Sequence, residues 1–189
     1  MTIETRPEEQ VVLVDAHDLV LGTMGKHEAH RLGALHRAFS IFLFDTNGQL
    51  LLQQRAHTKY HSGGLWTNTC CGHPRSEEPT LLAAQRRLME EMGIDAMLDE
   101  QFTFLYSANF DNGLQEHELD HVYFGTWNGP CAPDSNEVDD HRYMSMEELD
   151  VELRTRPDLY SAWLIACWAQ VLAAHRAWML GTPHHREAR

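Results

Sequence analysis

With 189 residues, 43% of them hydrophobic and 23% charged, the chain is long enough for one well-buried domain and short for two. Its formal net charge of −13 argues against nucleic acid or an anionic membrane as partner, because either selects clustered Lys and Arg. Four cysteines, a polar and acidic start over residues 1–10 that is neither signal nor transit peptide, and no apolar run near the roughly 18 residues of a membrane span predict a cytoplasmic chain.

Val11-Val12-Leu13-Val14 predicts the first strand, closed by Asp15-Ala16-His17-Asp18. The His-rich stretch from Gly22 to Leu35 shows no strong periodicity. Ala38–Phe44 and Gln49–Gln54 are β-rich runs joined by Asp45-Thr46-Asn47-Gly48, where Asn-Gly signals a hairpin. Thr58 to Gly64 reads as a loop with paired glycines. Leu81, Ala84, Leu88 and Met92 recur at intervals of three, four and four, which predicts one apolar face of a helix over Thr80–Met92. Gly93 supplies its C-cap. Phe102–Phe110 and Glu116–Gly125 are expected strands around a turn at Asp111-Asn112-Gly113. Ser145-Met146-Glu147-Glu148 fits a capping box, and Tyr160–Leu180 predicts a C-terminal helix. Strands and helices mix without repeat or linker, so residues 1–189 are expected to form one α/β domain with residues 1–10 as a flexible tail.

Residues with chemical capacity gather in Trp66-Thr67-Asn68-Thr69-Cys70-Cys71-Gly72-His73-Pro74 and in the helix behind it. With Leu88 at the centre of that helix's core face, Glu91 lies about 60° to one side and Arg87 stands one turn earlier on the same side. Two readings of this pair are open: a surface i, i+4 ion pair, or an anion- and cation-binding edge. Arg86 and Glu90 fall on the wetter face. Cys70-Cys71 reads as a buried pair, a vicinal disulfide or half of a zinc site, but no Cys-x2-Cys partner exists for the last. Of the 13 histidines, His17, His57, His141, His175, His184 and His185 read as solvated or hydrogen-bonded. His30, His36 and His73 stand near the motif segments. Glu116 and Glu118 share one face of a predicted strand, which implies that the face is wet or binds a cation, whereas His117 and His121 point the other way.

From Gly72 the chain runs five residues to Glu78 and seven more to Arg86-Arg87-Leu88-Met89-Glu90-Glu91-Met92-Gly93-Ile94. This resembles the Nudix box, Gly-x5-Glu-x7-Arg-Glu-apolar-x-Glu-Glu-x-Gly-apolar, with Arg87 in place of its first helical Glu-pair carboxylate. Cys71-Gly72-His73-Pro74 leading into a box altered in this way resembles type I isopentenyl-diphosphate isomerases of the Nudix superfamily. The segments Lys26…His30…Leu35-His36-Arg37-Ala38-Phe39-Ser40 and Glu116-x-Glu118 extend the resemblance over nearly the whole chain. It implies a Nudix-like α/β fold, a mixed β-sheet sandwiched between helices. It also implies a metal-dependent protonation–deprotonation that interconverts isopentenyl and dimethylallyl diphosphates in isoprenoid precursor synthesis.

The resemblance assigns roles residue by residue. Cys71 and Glu118 would be the acid–base pair and Trp163 an aromatic face for developing cationic character; Tyr106, from its place on the preceding predicted strand, is expected to join them in catalysis by hydrogen-bonding the carboxylate. Lys26, Arg55, Lys59 and Arg87 would bind the diphosphate. His30, His36, His73, Glu116 and Glu118 would hold one Mn²⁺, Mg²⁺ or Zn²⁺, and Glu91 would bring a Mg²⁺ to the substrate diphosphate. Two departures stand out: Ser62-Gly63-Gly64 replaces an aromatic-Pro turn, and the His30–His36 interval is short, which makes His27 an alternative ligand. The rival reading is a Nudix hydrolase, against which Arg87 removes a carboxylate and Cys71 has no use. Native metal and oligomeric state are left open.

Overall fold

The computed structural model describes residues 9–110 and 112–181. Of the expected flexible tail, residues 1–8 lie outside them, as do Asp111, His184 and His185. Nine strands and four helices follow in the order β1 (Gln10–Val14), β2 (Val20–Gly25), α1 (Lys26–Leu32), β3 (His36–Phe44), β4 (Leu50–Arg55), β5 (Trp66–Thr67), β6 (Cys70–Gly72), α2 (Thr80–Met92), β7 (Asp99–Asn109), β8 (Gln115–Thr126), β9 (Val138–Met144), α3 (Met146–Thr155) and α4 (Ala162–Gly181). No helix among the described residues is long and apolar enough to cross a membrane.

The strands form one mixed sheet centred on β3, which pairs in parallel with β8 and antiparallel with β1, β4 and β6. β3 is buried along nearly its whole length, as a strand covered on both faces must be. Phe39, Ile41 and Leu43 point towards α2 and pack with Ala83, Ala84, Leu88 and Met92. Phe42 and Phe44 point the other way, into a second core with Leu149 and Leu153 of α3 and Trp163, Leu164, Cys167, Trp168 and Val171 of α4. The mixed sheet between helices is thus the expected α/β architecture, and the period-two alternation of one strand builds both of its cores.

Several elements match their sequence signals in detail. The Ser145 hydroxyl accepts from the Glu148 N–H while the Glu148 side chain reaches back to the Ser145 N–H, closing the capping box. Gly93 caps α2 at φ 65°, in the left-handed region. At the β3–β4 turn Asp45 Oδ1 accepts from the N–H groups of Asn47 and Gln49, both at 2.8 Å, and Gly48 takes φ 76°. Only the glycine of the Asn-Gly pair is left-handed, which is a longer bulged hairpin rather than the two-residue form.

The departures have physical causes. The stretch from Gly22 to Leu35 contains β2 and α1, neither of which periodicity reveals. β2 is a sheet edge whose apolar Val20 and Leu21 face solvent, and α1 has seven residues, too few to display a face. β9, Val-Asp-Asp-His-Arg-Tyr-Met, was not expected either: its charged middle hides a strand held by a ladder to β4 from Leu50↔Met144 to Arg55↔Val138. On α2 the first member of the expected stripe, Leu81, is 38% exposed, and Ala83 takes its place against the sheet.

Two substitutions test this packing by urea denaturation. Ser145→Ala removes the cap and is expected to cost about 1 kcal/mol. Gly125→Ala would put a Cβ 2.6 Å from the Met97 carbonyl oxygen and 2.8 Å from Leu43 Cδ2, and is expected to cost roughly 1–3 kcal/mol. A neutral Gly125→Ala would contradict the close seating of β8 on the segment around Met97.

Candidate functional site

Alternation places His36, Ala38, Ser40, Phe42 and Phe44 on one face of β3, and Glu116, Glu118, Asp120, Val122 and Phe124 on the same face of β8. The parallel ladder runs from His36↔Glu118 to Phe44↔Thr126. This shared face is therefore apolar at the C-terminal ends of both strands and polar at their N-terminal ends. β6 joins the polar end antiparallel, with Ser40 opposite Cys71. Cys71 accordingly faces the site, while Cys70 is fully buried in the α2-side core. Adjacent strand residues point apart, which excludes the vicinal disulfide; all four cysteines are free.

One donor atom each of His30, His36, His73 and Glu118 lie within 4.8 Å of one another. His36 Nδ1–H donates to the Ala34 carbonyl at 2.8 Å, which turns Nε2 inward. That atom lies 3.2 Å from His73 Nε2 and 3.5 Å from Glu118 Oε1, and His73 Nε2 lies 2.9 Å from the same oxygen. His30 Nε2 and Glu116 Oε2 are buried with no hydrogen-bond partner. Burial holds His30 down to about 3 and His73 down to about 4. Burial would raise Glu118, but hydrogen bonds from His36 and His73 hold it below the usual carboxylate range. Glu116 is pushed well up, by burial first and by Glu118 second. Neutral imidazoles and carboxylates converging with unpartnered buried donor atoms are the donor set that a divalent cation such as Mn²⁺, Mg²⁺ or Zn²⁺ takes. Of the five expected ligands four converge, and Glu116 stands beside them, its Oε1 3.3 Å from His61 Nε2. The short interval after His30 is absorbed by Gly33 at φ 62°, so His30 faces inward while His27 is exposed.

One cleft gathers Lys26, Arg55, Lys59, Cys71, Arg87, Glu91, Glu118 and Trp163, which lie far apart in sequence. Lys26 pairs with Glu9 at 3.0 Å, Lys59 with Glu137, and Arg87 with Glu90, Glu91 and Glu137. Gly72 leaves room for the Phe39 ring, which a Cβ there would meet at 3.1 Å, while Arg87 Cγ would stand in ordinary contact at 3.5 Å. Arg55 donates from Nη1 to Cys71 Sγ at 3.9 Å and stacks 5.1 Å over the Trp163 ring. Trp163 is buried, its Nε1–H donating to Asn68 Oδ1 at 3.0 Å. Glu91 is buried at the edge of α2 and accepts from Gln53, so its ion pair with Arg87 is not a solvated surface pair.

Tyr106 departs from expectation. It stands opposite Glu118 in the β7–β8 ladder, but its buried hydroxyl has no hydrogen-bond partner, and its ring packs in the α4-side core. A carboxylate directly across an antiparallel pair stands beside a tyrosine ring, whereas the hydroxyl extends beyond it. His117 and His121 face away, as expected: His117 Nδ1 meets the Gly33 carbonyl, and His121 bridges Glu100 and Asp18. Sequence reasoning missed Tyr60 and His61, whose side chains join the cluster from the Thr58–Gly64 loop. The one available signal was two adjacent rings in a loop otherwise made of small and polar residues. It also missed Asp120, buried beneath Ser40, whose hydroxyl donates to it at 2.8 Å.

A family model described as NUDIX domain matches residues 34–164. The chain is 52% identical over 166 residues to isopentenyl-diphosphate Delta-isomerase 2 of Aromatoleum aromaticum, covering 88% of each. It is 48% identical over 165 residues to the isopentenyl-diphosphate Delta-isomerase of Pectobacterium atrosepticum, covering 87% of this chain and 92% of that one. Among solved structures, DR0079 from Deinococcus radiodurans superposes with a TM-score of 0.72 at 17% identity, covering 86% of this chain and 98% of that one. A MutT protein of Methanosarcina mazei Go1 gives 0.61 at 15% identity over 74% and 94%. At those identities the structural likeness speaks for the fold.

The thiols provide a direct check on the site. Iodoacetamide on the native chain is expected to label Cys71 and Cys131, which are partly exposed, and to spare the buried Cys70 and Cys167. Burial pushes Cys71 up to about 12 despite Arg55 beside it, so its alkylation rate should still climb between pH 9 and pH 11. Peptide mass spectrometry that finds Cys70 modified first, or a Cys71 rate that levels off near pH 8.5, would contradict the site as described.

Proposed function

The chain belongs to the isopentenyl-diphosphate Delta-isomerases of the Nudix family, and from that premise we propose that it transposes the double bond of isopentenyl diphosphate with Cys71 and Glu118 as its proton-transfer groups. The observation that carries this reading is that both side chains open on one cleft, from β6 and from β8, the thiol holding its proton and the carboxylate free of one. Interconversion with dimethylallyl diphosphate adds a proton to the terminal alkene carbon and removes one from the carbon next to the newly forming cation. Two groups must therefore address the same short carbon chain. Protonation of an unactivated alkene develops tertiary cationic character. Trp163 supplies a polarisable wall that stabilises it without attacking it, fixed in place by Asn68.

Lys26, Arg55, Lys59 and Arg87 receive the diphosphate in an otherwise acidic protein. Three of them pair with carboxylates, so diphosphate binding would exchange Glu9, Glu137 and Glu90 for phosphate oxygens. Glu91 would hold a Mg²⁺ whose charge would offset that of the diphosphate, and His30, His36, His73, Glu116 and Glu118 would hold a Mn²⁺, Mg²⁺ or Zn²⁺, which would alter the basicity of Glu118. A working thiol and four unpaired cysteines fit a reducing compartment, which we take to be the cytoplasm.

Proton NMR in D₂O with isopentenyl diphosphate and added Mg²⁺ and Mn²⁺ tests this. Dimethylallyl signals carrying deuterium should grow while the diphosphate stays intact. Cys71→Ala and Glu118→Gln should each lower kcat by about 10²–10⁴-fold. Undiminished turnover in Cys71→Ala, or release of phosphate in place of exchange, would return the chain to the hydrolase reading.

A further inference from the structure

The loop from Thr58 to Gly64 is held at several points along its length. The Gly64 N–H donates to the Arg55 carbonyl at 2.9 Å, and Asn112 Nδ2 donates to the Tyr60 carbonyl at 3.1 Å. The His61 ring stacks on Phe110 with centroids 4.8 Å apart and planes inclined by 22°. Its side chain is 6% exposed. Ser62 stands in the left-handed region at φ 52°, which a non-glycine residue adopts only where its surroundings hold it there.

Two contacts leave this loop for the histidine–carboxylate cluster. Tyr60 Oη lies 3.1 Å from His30 Nδ1, and His61 Nε2 lies 3.3 Å from Glu116 Oε1. In both residues the atom not touched by the loop is the buried one without a partner, His30 Nε2 and Glu116 Oε2. We infer that Tyr60 and His61 are positioning residues for the cation site: Tyr60 holds the His30 ring at Nδ1 so that Nε2 faces the cluster, and His61 turns Glu116 so that Oε2 points to the cation.

The Ser62 hydroxyl lies 3.2 Å from His61 Nδ1; when it donates there, the His61 proton sits on Nε2, the atom 3.3 Å from Glu116 Oε1. His30 Nδ1 is held 3.1 Å from Tyr60 Oη, as His36 Nδ1–H is held by the Ala34 carbonyl at 2.8 Å. One ligand is thus oriented by backbone and two by the loop, the outer-shell arrangement that fixes ring tautomers at metal centres. The inference rests on the proposed reading of His30, His36, His73, Glu116 and Glu118 as ligands, and the test separates the two.

Calorimetric titration of Mn²⁺ into the full chelator-treated chain, with thermal melts in chelator alongside, compares the parent with Tyr60→Phe, His61→Leu, His61→Gln and His36→Ala. Tyr60→Phe removes one oxygen and His61→Leu one donor. Each should weaken Mn²⁺ binding about 10–100-fold with the metal-free Tm close to that of the parent. His61→Gln, whose Nε2 amide can donate where the imidazole did, should recover most of the loss, which a purely structural role would not require. Mn²⁺ affinity unchanged in both Tyr60→Phe and His61→Leu, or no recovery in His61→Gln, overturns the positioning role while loss of binding in His36→Ala leaves the ligand set standing. Parent-like binding in His36→Ala overturns the ligand set and the inference with it.

Discussion

The parallel pairing of β3 with β8 is the contact on which the rest of the molecule depends. Setting His36 beside Glu118 fixes the register of nine residues on each strand. A slip of one residue would turn His36 and Glu118 away from each other and drive Phe42 and Phe44 out of the α4-side core. The same alternation that buries the rings therefore aims the histidine and carboxylate of the cluster, and stability and site geometry are specified by one ladder. β6 extends this logic through two adjacent cysteines, one committed to the core and one to the cleft.

The electrostatics of the site are arranged against the overall charge of the chain. Every cation in the cleft except Arg55 is described with a carboxylate partner, so the pocket is close to neutral before anything enters it. Arg55 instead lies between the Trp163 face and the Cys71 sulfur, with a buried Nε that no protein atom satisfies. Among buried groups, neutral histidines and one ionised carboxylate coexist because desolvation acts on the imidazoles while hydrogen bonds override it at Glu118.

Much of this was legible in the sequence wherever a local rule and the global fold agree. The α2 boundaries, the Gly93 cap, the Ser145 capping box and the facing of Glu116 and Glu118 all follow from short-range patterns. The resemblance of Cys71–Pro74 and the altered box then supplied what patterns alone do not, the expectation that five dispersed residues meet. What stayed hidden is tertiary in origin. β9 owes its existence to β4, α1 is too short to have a face, and Leu81 at the start of α2 stays exposed where Ala83 is buried. Tyr60 and His61 were invisible because loop residues are placed by what grips them, here Asn112 and Phe110, some fifty positions away. Tyr106 shows the converse: register placed it correctly, but the length of its side chain carried the hydroxyl past the carboxylate.

The opposed facing of Cys70 and Cys71 also bears on how the chain ages in air. A thiol protected by a neighbouring cysteine is captured after its first oxidation as a disulfide, which a reductant can reopen. Cys71 has its nearest sequence neighbour on the far side of a sheet that must remain paired for the site to exist. Once oxidised to the sulfenic acid it has no resolving partner adjacent in the chain, and the next steps on that ladder are irreversible. The strand geometry that dedicates one sulfur to the cleft leaves the reversibility of its damage to small-molecule thiols from outside.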